Sequence, residues 1–130
     1  MSDSMDLAAQ PFPRLMGVEV MEASKTAVRG RIVVKPEICT AAHIMHGGAI
    51  MAFADTLGAI GAFLNLPEGA LTTTIESKTN FIGAAKEGST VFAESLPLHI
   101  GRRSSVWQTR IAREDGKLVA VITQTQLVLD

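Results

Sequence analysis

Residues 47–64 of this chain read GGAIMAFADTLGAIGAFL, an almost wholly apolar run in which Asp55 is the single ionisable side chain. A helix that is apolar on every side has no face for solvent, so we expect protein to enclose it all round. A carboxylate inside such a helix is costly unless a partner pairs with it, uses it or protonates it. Asp55 is therefore the residue for which we predict a chemical role.

Length and composition set the class of protein. The chain has 130 residues, which suits one domain with a single sizeable core. Its net charge of −1, without a block of Lys and Arg, gives no electrostatic reason to expect nucleic acid or an anionic membrane as a partner. The lone Cys39 excludes an intrachain disulfide framework and is typical of a reducing, cytoplasmic setting. The acidic first residues do not resemble a secretory signal.

The apolar run is also long enough to raise the question of membrane crossing. Its four glycines, the central Asp55 and the lack of a flanking Lys/Arg cluster argue against that interpretation. We therefore predict a helix that is buried in protein and no membrane partner.

Segments typical of β-strands flank the helix on both sides. Residues 1–16 hold two prolines around Phe12 and predict an arm or a short helix, so we assign one domain to residues 17–130. Short turns, including the hairpin signal Asp115-Gly116, separate several of the strands. The predicted strands are residues 18–22, 27–34, 71–82, 90–100, 104–113 and 118–129.

The resulting order β-β-α-β-β-β-β predicts an α+β fold. Consecutive strands joined by short turns favour an antiparallel sheet, here of five or six strands, wrapped around the one long helix. A helix without a polar face needs more cover than one twisted sheet provides. We expect a second copy of the chain to shield its far side, which predicts a homodimer.

Gly47 and Gly48 at the start of the helix have two interpretations that do not exclude each other. They can allow a tight turn, or they can leave backbone N–H groups open to a polarised carbonyl or an oxyanion. Asp55 lies eight residues further on, roughly 12 Å along the axis. If the Gly47 N–H and Asp55 both act on one substrate, Asp55 must come from a neighbouring subunit. The alternative is a carboxylate held by a buried backbone group or threonine without a chemical role.

Other candidates carry weaker signals. His43 and His46 lack the further ligands of a metal site, and we expect His46 to shape the loop or to bind a ligand near the glycines. The turn Gly101-Arg102-Arg103-Ser104 is either an ordinary solvated turn or a phosphate grip built from guanidinium and N–H groups, to which Lys86 could add charge. The sequence has neither a Gly-x-Ser-x-Gly elbow nor a nucleotide-binding glycine motif.

Taken in order, these residues resemble the hotdog-fold acyl-CoA thioesterases of the phenylacetate-pathway (PaaI) type. The likeness covers about residues 17–129 and rests on an ordered set of short segments. The matching segments are His46-Gly47-Gly48, Ala54-Asp55-Thr56, Thr74-Ile75-Glu76, Asn80-Phe81-Ile82, Ala85-Lys86-Glu87-Gly88, Gly101-Arg102-Arg103 and Asp115-Gly116-Lys117-Leu118-Val119-Ala120.

The resemblance implies a curved antiparallel sheet around a central helix, with dimers often paired into tetramers, and hydrolysis of an acyl-CoA to free acid and CoA. It implies that the Gly47 N–H polarises the thioester carbonyl and that Asp55 of the partner subunit acts as nucleophile or general base. A hydroxyl at the position of Thr74 orients water in some members. The Gly101-Arg102-Arg103 turn is similar to segments near the CoA nucleotide. We expect no metal and no cofactor.

Two positions depart from the family pattern. Many relatives carry Asn or Gln where this chain has Thr40, and some carry Thr where it has Ala59. These departures leave open whether Asp55 attacks the thioester carbonyl or activates water. They also leave open an alternative function, a non-catalytic module that binds acyl-CoA without cleaving it. A hydratase on the same fold would need a catalytic histidine, for which neither His43 nor His46 has the spacing. Apolar helix residues could line an acyl pocket but equally build a core, namely Met51, Phe53, Leu57, Ile60 and Phe63.

Overall fold

The computed structural model describes residues 10–130, so residues 1–9 of the predicted N-terminal arm lie outside the described residues. The predicted order of strands and central helix is confirmed, and the described part of the arm forms a short helix. The elements are α1 (Pro11–Met16), β1 (Glu19–Ala23), β2 (Val28–Val33), a 3₁₀ turn (Pro36–Ile38), α2 (Gly47–Leu64), β3 (Leu71–Phe81), β4 (Thr90–Ile100), β5 (Ser104–Arg113) and β6 (Leu118–Leu129).

The six strands form one antiparallel sheet in the order β1-β2-β4-β5-β6-β3, which confirms the predicted α+β architecture. The pairing of β3 with β6, rather than with its sequence neighbour β4, was not predicted. The connection after β3 has to cross to the other side of the sheet. On its way it is fixed beside the loop before α2, where Met45 N–H donates to Ala85 C=O and Glu87 N–H donates to His43 C=O.

The inner face of the sheet packs against one side of α2. Phe53, Leu57 and Ile60 are at most 1% exposed and belong to the core, whereas Met51 and Phe63 are only partly buried. Of the helix residues that could line a pocket or build a core, these three therefore build the core. The sheet contributes Val28, Ile32, Val91, Ile111 and Ile122 to the same cluster.

Two helix glycines let the sheet approach the backbone of α2. A β-carbon at Gly61 would lie 2.4 Å from Cη2 of Trp107, and one at Gly58 would lie 2.3 Å from Oε1 of Gln124. Any larger residue at either position would collide with a fully buried side chain of β5 or β6. The buried indole of Trp107 keeps a hydrogen-bond partner, because its Nε1–H donates to Ser105 Oγ at 3.0 Å. These glycines set the distance between helix and sheet.

The other side of α2 is only partly covered. Met51, Ala52, Asp55, Ala59 and Phe63 form a half-buried stripe along the helix. By length and composition the helix could cross a membrane, with a mean hydropathy of 1.5, but half of it is buried inside the fold. It is the core helix of the sheet, and its open stripe lies where the sequence predicts a second copy of the chain.

We predict that Gly61→Ala lowers the free energy of unfolding by about 1–3 kcal/mol, because the added methyl group overpacks the contact with Trp107. Urea denaturation followed by circular dichroism measures this change.

The double-mutant cycle with Trp107→Leu is the control. With the indole removed, Gly61→Ala should be neutral or stabilising, because alanine is the better helix former by about 1 kcal/mol. An equal cost of Gly61→Ala in both backgrounds would contradict the proposed contact.

Candidate active site

Asp55 is half-buried on the open stripe of α2 and is held through one of its two carboxylate oxygens. Its Oδ1 accepts a hydrogen bond from Thr74 Oγ1 at 2.6 Å and another from Gln124 Nε2 at 3.1 Å. Gln124 Nε2 also lies 3.4 Å from the backbone oxygen of Asp55. Within residues 10–130 no side chain donates to Oδ2, so the carboxylate is oriented but keeps one oxygen open for chemistry.

A second layer of polar groups lies behind Thr74. Gln126 Nε2 donates to Thr74 Oγ1, and the Thr72 hydroxyl lies 3.1 Å from Gln126 Oε1 and 2.9 Å from the backbone oxygen of Leu127. Gln124 and Gln126 are 0% and 1% exposed. Because buried amides are costly unless they are hydrogen-bonded, their contacts with the Asp55–Thr74 pair explain why this core tolerates them.

The first turn of α2 is capped by its own loop. The Gly48 N–H donates to His46 Nδ1 at 2.8 Å, and the Ile50 N–H donates to His46 C=O at 3.0 Å. His46 thus shapes the loop, as one of its two predicted roles requires. Among the described residues neither the Gly47 N–H nor the Ala49 N–H has an acceptor, so both are donors available at this terminus, Gly47 at its very start. The ring of the half-exposed Phe81 lies over Gly47, 3.1 Å from where a β-carbon would be.

Thr40 and Lys86 lie near this helix start. The Thr40 N–H donates to Ile44 C=O at 2.8 Å, while its hydroxyl accepts from the Ala42 N–H at 3.2 Å. The Thr40 side chain is therefore engaged in its own turn. Lys86 pairs with Ile44 in an isolated bridge and lines a small cavity of about 330 Å³ together with Arg113.

The Gly101–Ser104 turn lies at the opposite end of α2. It closes between β4 and β5 through the Gly101 N–H, which donates to Ser104 C=O at 2.8 Å. Arg102 and Arg103 are exposed and line a cleft of about 1030 Å³ with Asn65 and Pro67, which follow the helix. Since an 18-residue helix spans about 27 Å, one protomer does not bring this turn together with Gly47.

A separate cavity of about 590 Å³ adjoins the start of α2. Its walls are mostly apolar and include Phe12, Leu15, Ile38 and Ala49, with His46 and Gly48 on the helix side. The Lys35 ammonium donates to the backbone oxygen of Leu15 and fixes the end of α1 over this cavity. The sequence predicted an arm or short helix here but not the cavity.

Neither a metal centre nor a thiol nucleophile is indicated in the part of the chain that the structure describes. No group of three His, Cys, Asp or Glu residues there could hold a metal ion. Burial raises the pKa of the Cys39 thiol, with the Glu87 and Glu37 charges adding to the shift, so the thiolate is disfavoured.

Residues 42–120 match the family model of the thioesterase superfamily. The chain belongs to the thioesterase superfamily. This confirms the resemblance on which the hotdog fold was expected, and at the level of the family it confirms a thioester hydrolase.

Similarity to known proteins supports this assignment. A solved thioesterase of Haemophilus influenzae superposes with a TM-score of 0.89 at 25% identity, covering 98% of this chain and 89% of that one. The 1,4-dihydroxy-2-naphthoyl-CoA hydrolase of Escherichia coli is 31% identical over 86 residues, which are 66% of this chain and 62% of that protein. A Vibrio cholerae protein that is named as an esterase by assignment only is 36% identical over 85 residues, which are 65% of this chain and 56% of that protein. The chain thus spans less than two thirds of these last two relatives.

Of the predicted site residues, the structure brings Asp55 and Thr74 into contact, and it places Gly47, Gly48, His46, Thr40 and Lys86 around the helix start. Gln124 and Gln126 were missed. A signal for them exists in the sequence, because positions 122, 124 and 126 share one face of β6 and Ile122 is a core residue. Glutamines on the face of a strand that carries core residues indicate a buried polar contact.

We predict that Thr74→Val lowers the free energy of unfolding by about 1–3 kcal/mol, because it takes a donor from Asp55 and an acceptor from the buried Gln126 amide. Thr73→Val, on the exposed face of the same strand, is the matched control and should be close to neutral. Urea denaturation of both variants decides the comparison, and equal stabilities would show that the Thr74 contacts contribute nothing.

Proposed function

We propose that this chain hydrolyses an acyl-CoA to free acid and CoA, with Asp55 as nucleophile or general base. One observation carries the proposal: a lone carboxylate in an apolar helix, held through Oδ1 by neutral donors with Oδ2 left open. A carboxylate so placed is suited to attack a carbonyl carbon or to take a proton from water. Membership in the thioesterase superfamily supports the reaction class.

The proposed chemistry uses two groups of α2, the Gly47 N–H at its start and the Asp55 carboxylate near its middle. Attack on the thioester carbonyl carbon turns its oxygen into an oxyanion, which the Gly47 N–H and the positive end of the helix dipole stabilise. The C–S bond then breaks and CoA leaves as a thiolate that takes up a proton. Attack by Asp55 gives an acyl-carboxylate anhydride that water hydrolyses, whereas general-base action delivers water directly and Asp55 accepts its proton.

Thr74 has a defined hydrogen-bonding role in either route. Because the Gln126 amide donates to Thr74 Oγ1, the single hydroxyl proton of Thr74 is directed at Asp55. Thr74 can then accept a hydrogen bond from the reacting water but has no proton to donate to it. We propose that it orients water in this way.

We propose that the site is shared between two copies of the chain. Gly47 and Asp55 lie eight residues apart on one helix, about 12 Å along the axis, and cannot both contact one carbonyl. In a homodimer with antiparallel α2 helices, Gly47 of one protomer faces Asp55 of the other across the open stripe. Pairing of such dimers into tetramers stays a prediction, as does a cytoplasmic location.

The same arrangement supports a position for CoA. The Gly101–Ser104 turn adjoins Asn65, which lies ten residues beyond Asp55 or about 15 Å along the helix. An extended pantetheine arm can span this distance, so the exposed guanidinium groups of Arg102 and Arg103 are suited to the CoA phosphates. Lys86, near the helix start of the other protomer, would approach the same ligand from the opposite side.

The apolar cavity between α1 and the start of α2 is our candidate site for the acyl group. It adjoins Gly48 and His46, and its lining is mostly apolar, although Lys35 and Glu37 also contribute to it. The apolar part of the lining suits the hydrocarbon portion of an acyl group.

A non-catalytic module that binds acyl-CoA is the second candidate, and the Thr40 position favours it. The Thr40 hydroxyl accepts from the Ala42 N–H within its own turn, and Thr40 has no side-chain amide with which to hold a thioester. Ala59 offers no hydroxyl either. Binding of CoA esters without release of free thiol would identify this function.

We predict that Asp55→Asn lowers the rate of thiol release from acyl-CoA by about 10²–10⁴-fold while CoA-ester binding and the circular dichroism spectrum stay unchanged. The measurement is a thiol assay over a panel of aryl- and alkyl-acyl-CoAs.

Glu68→Gln, which removes an exposed carboxylate after α2, is the matched control and should keep full activity. Undiminished hydrolysis by Asp55→Asn would exclude Asp55 as the reacting group. A size measurement that finds an active, stable monomer would exclude the shared site.

A further inference from the structure

Two fully buried glutamines lie on β6, and the reaction scheme gives no role to Gln124. Gln124 and Gln126 alternate with outward-facing residues and follow Ile122 on the inner face of the strand. An apolar side chain at either position would fill the core without the cost of burying an amide. Both amide NH₂ groups donate toward the half-buried carboxylate of α2, Gln124 directly and Gln126 through Thr74, while Gln126 Oε1 faces the Thr72 hydroxyl.

These hydrogen bonds have a fixed direction. Gln126 donates to Thr74, Thr74 donates to Asp55 Oδ1, and Gln124 donates to the same oxygen. Two independent donors therefore meet at Oδ1, while within residues 10–130 Oδ2 receives none. The two oxygens of one carboxylate are made chemically different by their neighbours.

The residues around the side-chain amide of Gln124 explain its orientation. Gly58, almost one helical turn after Asp55, leaves a gap that a β-carbon would close, and Gln124 Oε1 lies in that gap without a donor among the described residues. The amide is thus held by its NH₂ end, which lies 3.1 Å from Asp55 Oδ1 and 3.4 Å from the Asp55 backbone oxygen. A reversed amide would set its oxygen against both of these acceptors.

We infer that Gln124 is a positioning residue that selects Oδ2 of Asp55 as the reacting oxygen. By joining the side chain of Asp55 to its own backbone, the amide opposes rotation of the carboxylate and holds Oδ2 toward the open stripe. Gln126 acts on the same carboxylate through Thr74. The inference rests on the proposed function and names the part of the protein that makes Asp55 effective.

The test is Gln124→Met, which keeps the length of the side chain and removes the donor. Because loss of orientation at a reacting group can cost about 10²-fold, we expect kcat to fall by about 10–100-fold with KM within about threefold of the wild type. The stability should change little, because removal of the unpaired buried Oε1 offsets the loss of one donor to Asp55. Gln124→Leu is the second variant and should give the same split between kcat and KM if methionine does not pack.

Gln108→Met is the matched control, because Gln108 lies on the outer face of β5 and contacts Thr123 rather than the site. It should keep wild-type kcat and KM. A kcat within twofold of the wild type for folded Gln124→Met would overturn the inference, as would a loss matched by an equal loss of stability.

Asp55→Asn, assayed alongside, separates this inference from the function on which it rests. If Asp55→Asn is inactive and Gln124→Met is fully active, the positioning role is wrong and the proposed function stands. If Asp55→Asn retains full activity, the proposed function fails and the positioning role fails with it.

Discussion

The close approach of the sheet to α2 is the constraint on which the rest of the structure depends. Gly58 and Gly61 remove the side chains that would separate the two layers, and Trp107 and Gln124 fill the space. The first contact is apolar packing, while the second brings an amide to the carboxylate of Asp55. The packing of the core and the support of the candidate site therefore have the same origin in two missing β-carbons.

The way in which Asp55 is held suits a reacting group better than an ion pair would. None of the Arg and Lys side chains between residues 10 and 130 pairs with it, and its donors are a hydroxyl and an amide. Neutral donors orient a carboxylate and offset part of its desolvation without cancelling its charge. A guanidinium partner would bind both oxygens and leave neither open. The hydrogen bonds from Gln126 to Thr74 and from Thr74 to Asp55 orient the carboxylate, while its Oδ2 stays accessible.

Much of this fold could be predicted because its signals are local. The bounds of α2, Gly47–Leu64, follow from the two glycines that open it and from Pro67 and Gly69 after it. The β5–β6 hairpin follows from Asp115-Gly116. The pairing of β3 with β6 could not be predicted, because it depends on a connection that crosses the sheet and is fixed far away in sequence, at His43 and Met45. Local sequence patterns carry no information about which distant strand pairs with β3.

The candidate site divides along the same line. Asp55 and Gly47 stand out because a lone acid and a glycine pair are unusual in an apolar run. The distance between them can also be calculated from the sequence, because the rise per residue of a helix is known. Gln124 and Gln126 were missed because a Thr-Gln-Thr-Gln sequence reads as a solvated strand unless its register with Ile122 is known. The roles assigned to the site residues stay predictions.

The position of Asp55 near the middle of α2 gives the strongest argument for two copies of the chain. In one protomer the Gly47 N–H and the Gly101–Ser104 turn lie at opposite ends of the helix, with the carboxylate between them. A two-fold axis makes every contact occur twice, so an antiparallel helix pair that places Gly47 against the partner's Asp55 also places Asp55 against the partner's Gly47. In the proposed homodimer the same operation would bring the partner's Gly101–Ser104 turn to the side where a substrate bound at Gly47 would extend. In the proposed homodimer, one symmetry operation would assemble two complete sites from a helix whose functional groups lie too far apart to act together within one protomer.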